Sequence, residues 1–457
     1  MMRQDRPESE SKTILERVLS VVTEVLPGEG SRTLLLGLNV FVLLLSYYLL
    51  KTVREALILA EGGAAIKSYS SAWQALMLMA AVPAYASFAA HVNRIKLITY
   101  VTLFFISNLL LFSAFGLAGV KEGVVFFVWV GIFNLLVIAQ FWAFANDLHT
   151  EAAGKRLFPV IMLGASLGAI VGGDVAARLM KPLGSYKLML LSAALLVVCI
   201  GITRVIHARA ATVQRVAEIP LKDTGVLELL FKDRYLLLIA LLMVLLNLVN
   251  STGEFLLDRF VTAEAVRVAG ADLLKRQEII GQFKGIYFSY ANGVSMLLQL
   301  FLVSRIFRYA GVGAALLILP AIALTGYSMI LAVPVLGIIR WVKIFENGTD
   351  YSIQNTVRQA LFLPTSREAK YKAKAAIDSF FVRTGDVFSA GLVYVGLNWF
   401  ALGITGFATV NLVLTLVWIG MAIAIAREYM RRTHIPAPVV SPPVSAAPES
   451  ANQGAVA

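Results

Sequence analysis

Residues 234–258 read RYLLLIALLMVLLNLVNSTGEFLLD. After Arg234 the stretch stays apolar or uncharged for about 20 residues, which at ~1.5 Å of rise per residue crosses the ~30 Å hydrocarbon core of a bilayer as a helix. Its far end then turns polar in a patterned way. Asn247 and Asn250 lead to Glu254 and Asp258, and Asn250, Glu254 and Asp258 recur every four residues, so they share one helix face. A carboxylate at membrane depth costs several kcal/mol unless it faces a bundle interior or a water-filled cavity. The stretch therefore predicts a membrane helix whose polar face looks into other helices; interhelical polar glue is the bland alternative.

Runs of this kind recur along all 457 residues. The chain is 58% hydrophobic and only 15% charged, with a mean hydropathy of +0.77, against roughly 45–50% and 25% in soluble domains. Because backbone polar groups must be satisfied internally in lipid, runs this long and continuous are helices and not barrel strands. Spans are predicted at 33–60, 68–90, 96–119, 123–147, 157–180 and 184–206, then 234–258, 279–304, 311–331, 333–350, 375–397 and 402–426. The expected organisation is a tail over 1–32 with an amphipathic surface helix at 11–26, six helices over 33–206, a connector over 207–233, six more over 234–426, and a Pro/Ala-rich disordered tail over 427–457. No signal peptide is read at the N-terminus. Faint echoes between the halves, HVNRIK after the second span and VSRIFR after the eighth, favour a duplicated 6+6 all-α bundle on the major-facilitator plan, with substrate held between the halves.

The net charge of +12 does not point to nucleic acid. Lys and Arg collect in alternate loops, with Arg94 and Lys96, then Lys155 and Arg156, then Arg305 and Arg308, and finally Arg427, Arg431 and Arg432. That asymmetry predicts both termini on the cytoplasmic side of a bacterial inner membrane. The loop 259–278 carries more charge than the rule favours and suggests a small helix outside. The single cysteine, Cys199, has no partner for a disulfide. His91, His149, His207 and His434 lack metal-ligand spacing. No nucleotide-hydrolysing, zinc or hydrolase motif occurs, so neither an enzyme nor a cofactor is expected. The sequence specifies no oligomeric state.

Charges inside the spans are the site candidates. The first span carries Lys51, Arg54 and Glu55; the i, i+4 rule pairs Lys51 with Glu55 and leaves Arg54 as the freer cation. Lys343, Glu346, Asn347 and Asp350 form one stripe on the tenth span. Arg383 and Asp386 stand i, i+3 on the eleventh, Asp174 and Arg178 pair on the fifth, and Asn146 closes the fourth. The candidate substrate-binding set is Lys51, Arg54, Glu55, Asn146, Asn250, Glu254, Lys343, Glu346, Arg383 and Asp386. Gly164, Gly168 and Gly172 give the fifth span a face for close helix approach.

Four blocks resemble the plastid and intracellular-bacterial nucleotide transporters, the twelve-span ATP/ADP translocases. They are YYLLKTVREALILAEGGAAIKSY, FWAFANDLHTEAAGKRLFPVIMLGASLGAIVGG, Glu254 as a membrane glutamate, and KYKAKAAIDSFFVRTGDVFSAGL. The resemblance implies exchange of a nucleotide, or uptake of one together with a cation, with Arg54 as a phosphate-binding cation. It also shows departures. Asp386 stands near a lysine position of the family, and an uncharged residue near Asn134 replaces a glutamate. A same-fold transporter of another organic ion coupled to protons, and a non-transporting membrane scaffold, are the alternatives.

Overall fold

The computed structural model describes residues 16, 23–26, 29–89, 93–209, 230–366 and 368–434. All regular structure among them is helical. The expected surface helix at 11–26, most of the connector and the tail from 435 lie largely outside the described residues.

The α-helices of seven residues or more are α1 Gly30–Ala89, α2 Arg94–Leu117, α3 Gly123–Asp147, α4 Glu151–Ala208, α5 Arg234–Ala269, α6 Leu273–Phe301, α7 Val303–Tyr309, α8 Gly311–Ala332, α9 Leu336–Thr349, α10 Asn355–Leu361, α11 Val382–Asn398 and α12 Ile404–His434, with π-helical turns at Asp350–Gln354, Ala369–Ala373 and Ile377–Phe381, the last leading into α11, and a single α-turn at Lys374–Ala376. Eight helices among the described residues are long and apolar enough to cross a membrane, or nine with α6 and α7 taken as one span bent by 45°. Two of the eight are far longer than one crossing, at 52 and 57 residues, where ~20 suffice.

Both fold back on themselves at a glycine. Gly63 in α1 has φ 71° and Gly184 in α4 has φ 71°, a region that other residues avoid because Cβ meets the backbone. Lys67 contacts Glu55 at 2.5 Å, although twelve residues of unbroken helix would separate them by ~18 Å. In α4, Gly172 packs on Leu45 and Ser192 exchanges hydrogen bonds with Ser46, so both limbs lie against one stretch of α1. The ends of the bundle differ accordingly. One carries the Gly63 and Gly184 reversals; the other carries the end of α4, the start of α5 and the last turns of α12, where Arg432 pairs with Asp233.

Helices α1–α4 form one half of the bundle and α5–α12 the other. Within the first, Asn39 donates to Thr203 Oγ1 at 2.8 Å, and Gly164, Gly168 and Gly172 sit against the α1 backbone. Within the second, Asn411 donates to the carbonyl of Val249, and Phe255 packs edge-on to Phe407. The halves meet where Gly173 of α4 lies on Gly285 of α6, where Tyr48 donates to Asn292 at 3.1 Å, and where Tyr69 meets Tyr394. Ser185 also donates to Gln277 across this seam at 3.1 Å. These contacts run from mid-bundle to the reversal end. The loop 259–278 holds no separate helix: α5 continues to Ala269, and Gly270, at φ 56°, makes the turn into α6.

Candidate functional site

The polar face anticipated on α5 looks into a cavity of about 240 Å³ between the halves. Its wall includes Lys51, Arg54, Glu55 and Lys67 of α1, Asn247, Asn250, Glu254 and Asp258 of α5, and Arg383 and Asp386 of α11. Phe127, Phe288 and Tyr351 add aromatic faces.

A knot of charge crosses the seam at the reversal side of this cavity. Lys67 bridges Glu55 at 2.5 Å and Asp258 at 2.6 Å. Lys284 of α6 bridges Asp258 at 2.5 Å and approaches Glu55 and Glu254 at 3.7 Å. Each half thus supplies one carboxylate and one ammonium group, and the four alternate in sign around the knot. Lys284 is 0% exposed and Asp258 1%, so each charge depends on its partners for the solvation it has lost.

One turn further from the reversals, Glu254 is held from several sides. Tyr287 donates to Oε1 at 2.6 Å and Asn347 at 2.9 Å, and Lys343 stands 3.8 Å away. Lys343 in turn donates to Asn250 Oδ1 at 2.7 Å and pairs with Glu346 at 3.2 Å. On α11, Asp386 accepts from Asn247 at 2.8 Å, Ser251 at 3.0 Å and Arg383 at 3.4 Å.

Three cations keep donors free toward the cavity. Lys51 has no carboxylate within 4 Å among the described residues and rests over Phe288 and Tyr48, at 4.3 and 5.1 Å. Arg54 reaches Glu55 through one terminal nitrogen, at 2.8 Å, and lies over Phe127 at 4.4 Å. Arg383 uses one nitrogen, on Asp386. Guanidinium forks with spare N–H groups suit phosphate or carboxylate oxygens, and the aromatic and amide groups beside them suit a planar polar ring.

The model of a family described as TLC ATP/ADP transporter matches residues 123–429. The chain belongs to that family. ADP,ATP carrier protein 2 of Chlamydia pneumoniae is 22% identical over 367 residues, covering 67% of this chain and 66% of that protein; the chain thus spans just under two thirds of that relative's length. Among solved structures, the nucleoside transporter NupG matches with a TM-score of 0.59 at 15% identity, over 88% of this chain and 99% of that one. A bacterial homologue of the iron transporter ferroportin in an inward-facing state matches at 0.62 and 14%, over 87% and 98%. A POT family transporter bound to 5-aminolevulinic acid matches at 0.62 and 13%, over 87% and 96%. At such identities these three establish the fold, a major-facilitator-type bundle, and nothing finer.

The structure sorts the sequence-derived set. Lys51, Arg54, Glu55, Asn250, Glu254, Arg383 and Asp386 line the one cavity. Lys343 and Glu346 lie behind its wall, fully and almost fully buried, and act on it through Asn250 and Glu254. Asn146 is corrected: it is exposed at the end of α3, where its neighbour Asp147 pairs with Arg94, and does not reach the cavity. The expected Lys51–Glu55 pair is also corrected. Glu55 pairs with Arg54 and Lys67, and Lys51 is the freer cation, because the reversal at Gly63 returns Lys67 onto Glu55. Lys67 and Lys284 are the residues that sequence reasoning missed. Lys284 stood alone within a predicted span, and a solitary lysine at that depth is itself the signal.

Proposed function

We propose that the protein exchanges nucleotides across a bacterial inner membrane by alternating access, through twelve crossings with both termini cytoplasmic. The twelve are reached by taking α1 and α4 as two crossings each and α9 with α10 as one. Membership of an ATP/ADP transporter family supports this reading, and the observation that carries it is the trio Lys51, Arg54 and Arg383. These cations keep unused donors in a cavity at the seam of the halves, which is where a phosphate chain would be met and released as the halves rock.

With the termini cytoplasmic, the Gly63 and Gly184 reversals face outward, and the Lys67–Asp258–Lys284–Glu55 knot closes the outer path. The cavity, at about 240 Å³, is smaller than the ~300–1,000 Å³ usual for ligand sites, so a nucleotide enters only as the inner side widens. Glu254, shared by Lys284, Lys343, Tyr287 and Asn347, is the group best placed to feel an arriving anion, since phosphate competes with it for the two lysines.

A second reading rests on one observation. The cavity wall carries Glu55, Glu254, Asp258 and Asp386 against Lys51, Arg54, Lys67 and Arg383, and such a balance suits a less charged organic ion moved together with protons.

Thermal denaturation of the purified protein separates the two. A ligand present at about 100 times its Kd adds ~2.7 kcal/mol to the native state. ATP or ADP should raise the melting temperature of the wild type and lose that effect in Lys51→Ala and Arg54→Ala. Stabilisation by a non-phosphorylated solute and by no nucleotide would refute nucleotide exchange.

A further inference from the structure

Asp174 and Arg178 sit on the first limb of α4 and pair at 2.7 Å, yet they do not face the transport cavity. Their side chains are 44% and 77% exposed. Asp174 lies roughly 15 Å of helix rise short of the Gly184 reversal, and so at hydrocarbon depth. Charges there require polar company, and on this wall the bundle supplies little. With Gln282, Ser289 and Tyr290 of α6 they border an open recess of about 330 Å³.

Tyr290 extends this recess toward the second half of the bundle. Its ring stacks on Trp341 of α9 at 5.9 Å, and the Arg340 guanidinium lies 5.8 Å from it. The Nε of Arg340 is buried without a hydrogen-bond partner. Past Trp341 the wall is apolar: Trp341, Ile338 and Phe345 of α9 and Ile322 and Met329 of α8 border a recess of about 920 Å³. Arg178 and Asp174 therefore border a polar recess, Arg340 stands behind the Tyr290 ring, and an apolar recess opens on the far side of Trp341.

We infer that this groove binds an aminophospholipid. Its phosphodiester takes the terminal N–H groups of Arg178 and, past Tyr290, of Arg340, its primary ammonium takes the Asp174 carboxylate, and an acyl chain lies over Trp341 into the α8–α9 recess. The charge pattern selects the head. A wholly anionic head would meet Asp174, and a quaternary ammonium has no N–H to donate to it. The surrounding solvent is itself lipid, so no other partner need be recruited. The groove spans α4 of the first half and α6 and α9 of the second, beside the Gly173–Gly285 contact. A lipid seated there bridges the moving parts and favours the state in which they are joined.

The test uses the full-length protein purified in detergent and supplemented with phosphatidylethanolamine, phosphatidylcholine or phosphatidylglycerol of identical acyl chains. Lipid retained through native mass spectrometry and the shift in melting temperature are both read. Phosphatidylethanolamine should be retained at least about tenfold better than phosphatidylcholine and give the largest thermal shift. Arg178→Gln, at a largely exposed position that leaves the lipid-free melting temperature unchanged, should lower that retention about tenfold, and adding Arg340→Gln should lower it further. Asp174→Asn should abolish the preference over phosphatidylcholine. Equal retention of the three lipids by the wild type, or a preference that survives Arg178→Gln with Arg340→Gln, overturns the inference. So does efficient dimer cross-linking through Gln282→Cys, which would assign the groove to a second copy. None of these readouts involves nucleotide, so the result is independent of the transport reading.

Discussion

Replacing Asp258 by Asn should unlock the reversal end of the bundle. Asp258 is nearly fully buried and holds Lys67 at 2.6 Å and Lys284 at 2.5 Å. Removing one partner of a buried pair usually costs about 3–5 kcal/mol, because the other charge stays desolvated and unmatched. Here Lys67 keeps Glu55 at 2.5 Å, and Lys284 keeps Glu55 and Glu254 at 3.7 Å, which places the cost at the lower end, about 3 kcal/mol. The penalty applies to the closed arrangement, where the lysines are dry, and largely vanishes once water enters. The closed-to-open ratio should therefore fall by about two orders of magnitude. The chain has one cysteine, Cys199, which is buried, so a Cys199→Ser background carrying Ala64→Cys reports on the seam. Ala64 follows the Gly63 reversal, lines the cavity and is 7% exposed. Alkylation by a membrane-impermeant maleimide added from outside should be slow in that background, at least about tenfold faster with Asp258→Asn, and slow again with Asp258→Glu. Equal rates in all three would mean that the charge knot does not close this path, and the reasoning would fail.

Three further outcomes follow from the same geometry. Gly285→Val places a Cβ about 2.7 Å from the carbonyl oxygen of Gly173, so the variant should keep its fold but hold the halves apart, and the position-64 thiol should label faster than in the parent. Lys343→Met strands Glu346 and should cost about 3–5 kcal/mol of stability, while the double variant Lys343→Met with Glu346→Gln should recover most of it in a melting-temperature cycle. In the loop before α3, burial and the nearby Glu61 carboxylate push Glu122 up to about 7, with the Tyr186 phenol also facing it. The folded protein then holds this proton more tightly than the unfolded chain, so the stabilisation is complete below the ordinary glutamate range and is lost as pH rises through about 7. Melting temperature should fall between about pH 5 and about pH 8, and Glu122→Gln should flatten that fall.

The fold was legible because the solvent is lipid: long apolar runs leave the backbone one economical structure, and 234–258 alone carries that argument. What the hydropathy could not place is where helices stop. α5 continues past Asp258 to Ala269 because the segment after the membrane is polar but contains no breaker before Gly270. The site was legible as a set of intramembrane charges and illegible as a pairing. The i, i+4 rule joins Lys51 to Glu55 because it sees one continuous helix, whereas the left-handed Gly63 brings Lys67 back over Glu55, and the partners that matter most, Asp258 and Lys284, come from helices about 200 residues further along the chain. Asn146 was drawn in by its position at a span end, and that same position leaves it exposed at the end of α3, away from the cavity. Asp386, near a lysine position of the family, repels an anionic cargo; three donors hold it, which tempers that repulsion without removing it.

Exchange measured in proteoliposomes tests the central claim most directly. Vesicles loaded with unlabelled ADP and containing the wild-type protein should accumulate labelled ATP or ADP against empty-vesicle controls, with uptake collapsing when the internal nucleotide is omitted and in Arg54→Ala. Vesicles that hold the folded protein, take up no nucleotide under any loading, and accumulate a non-phosphorylated ion when a proton gradient is imposed would contradict the account.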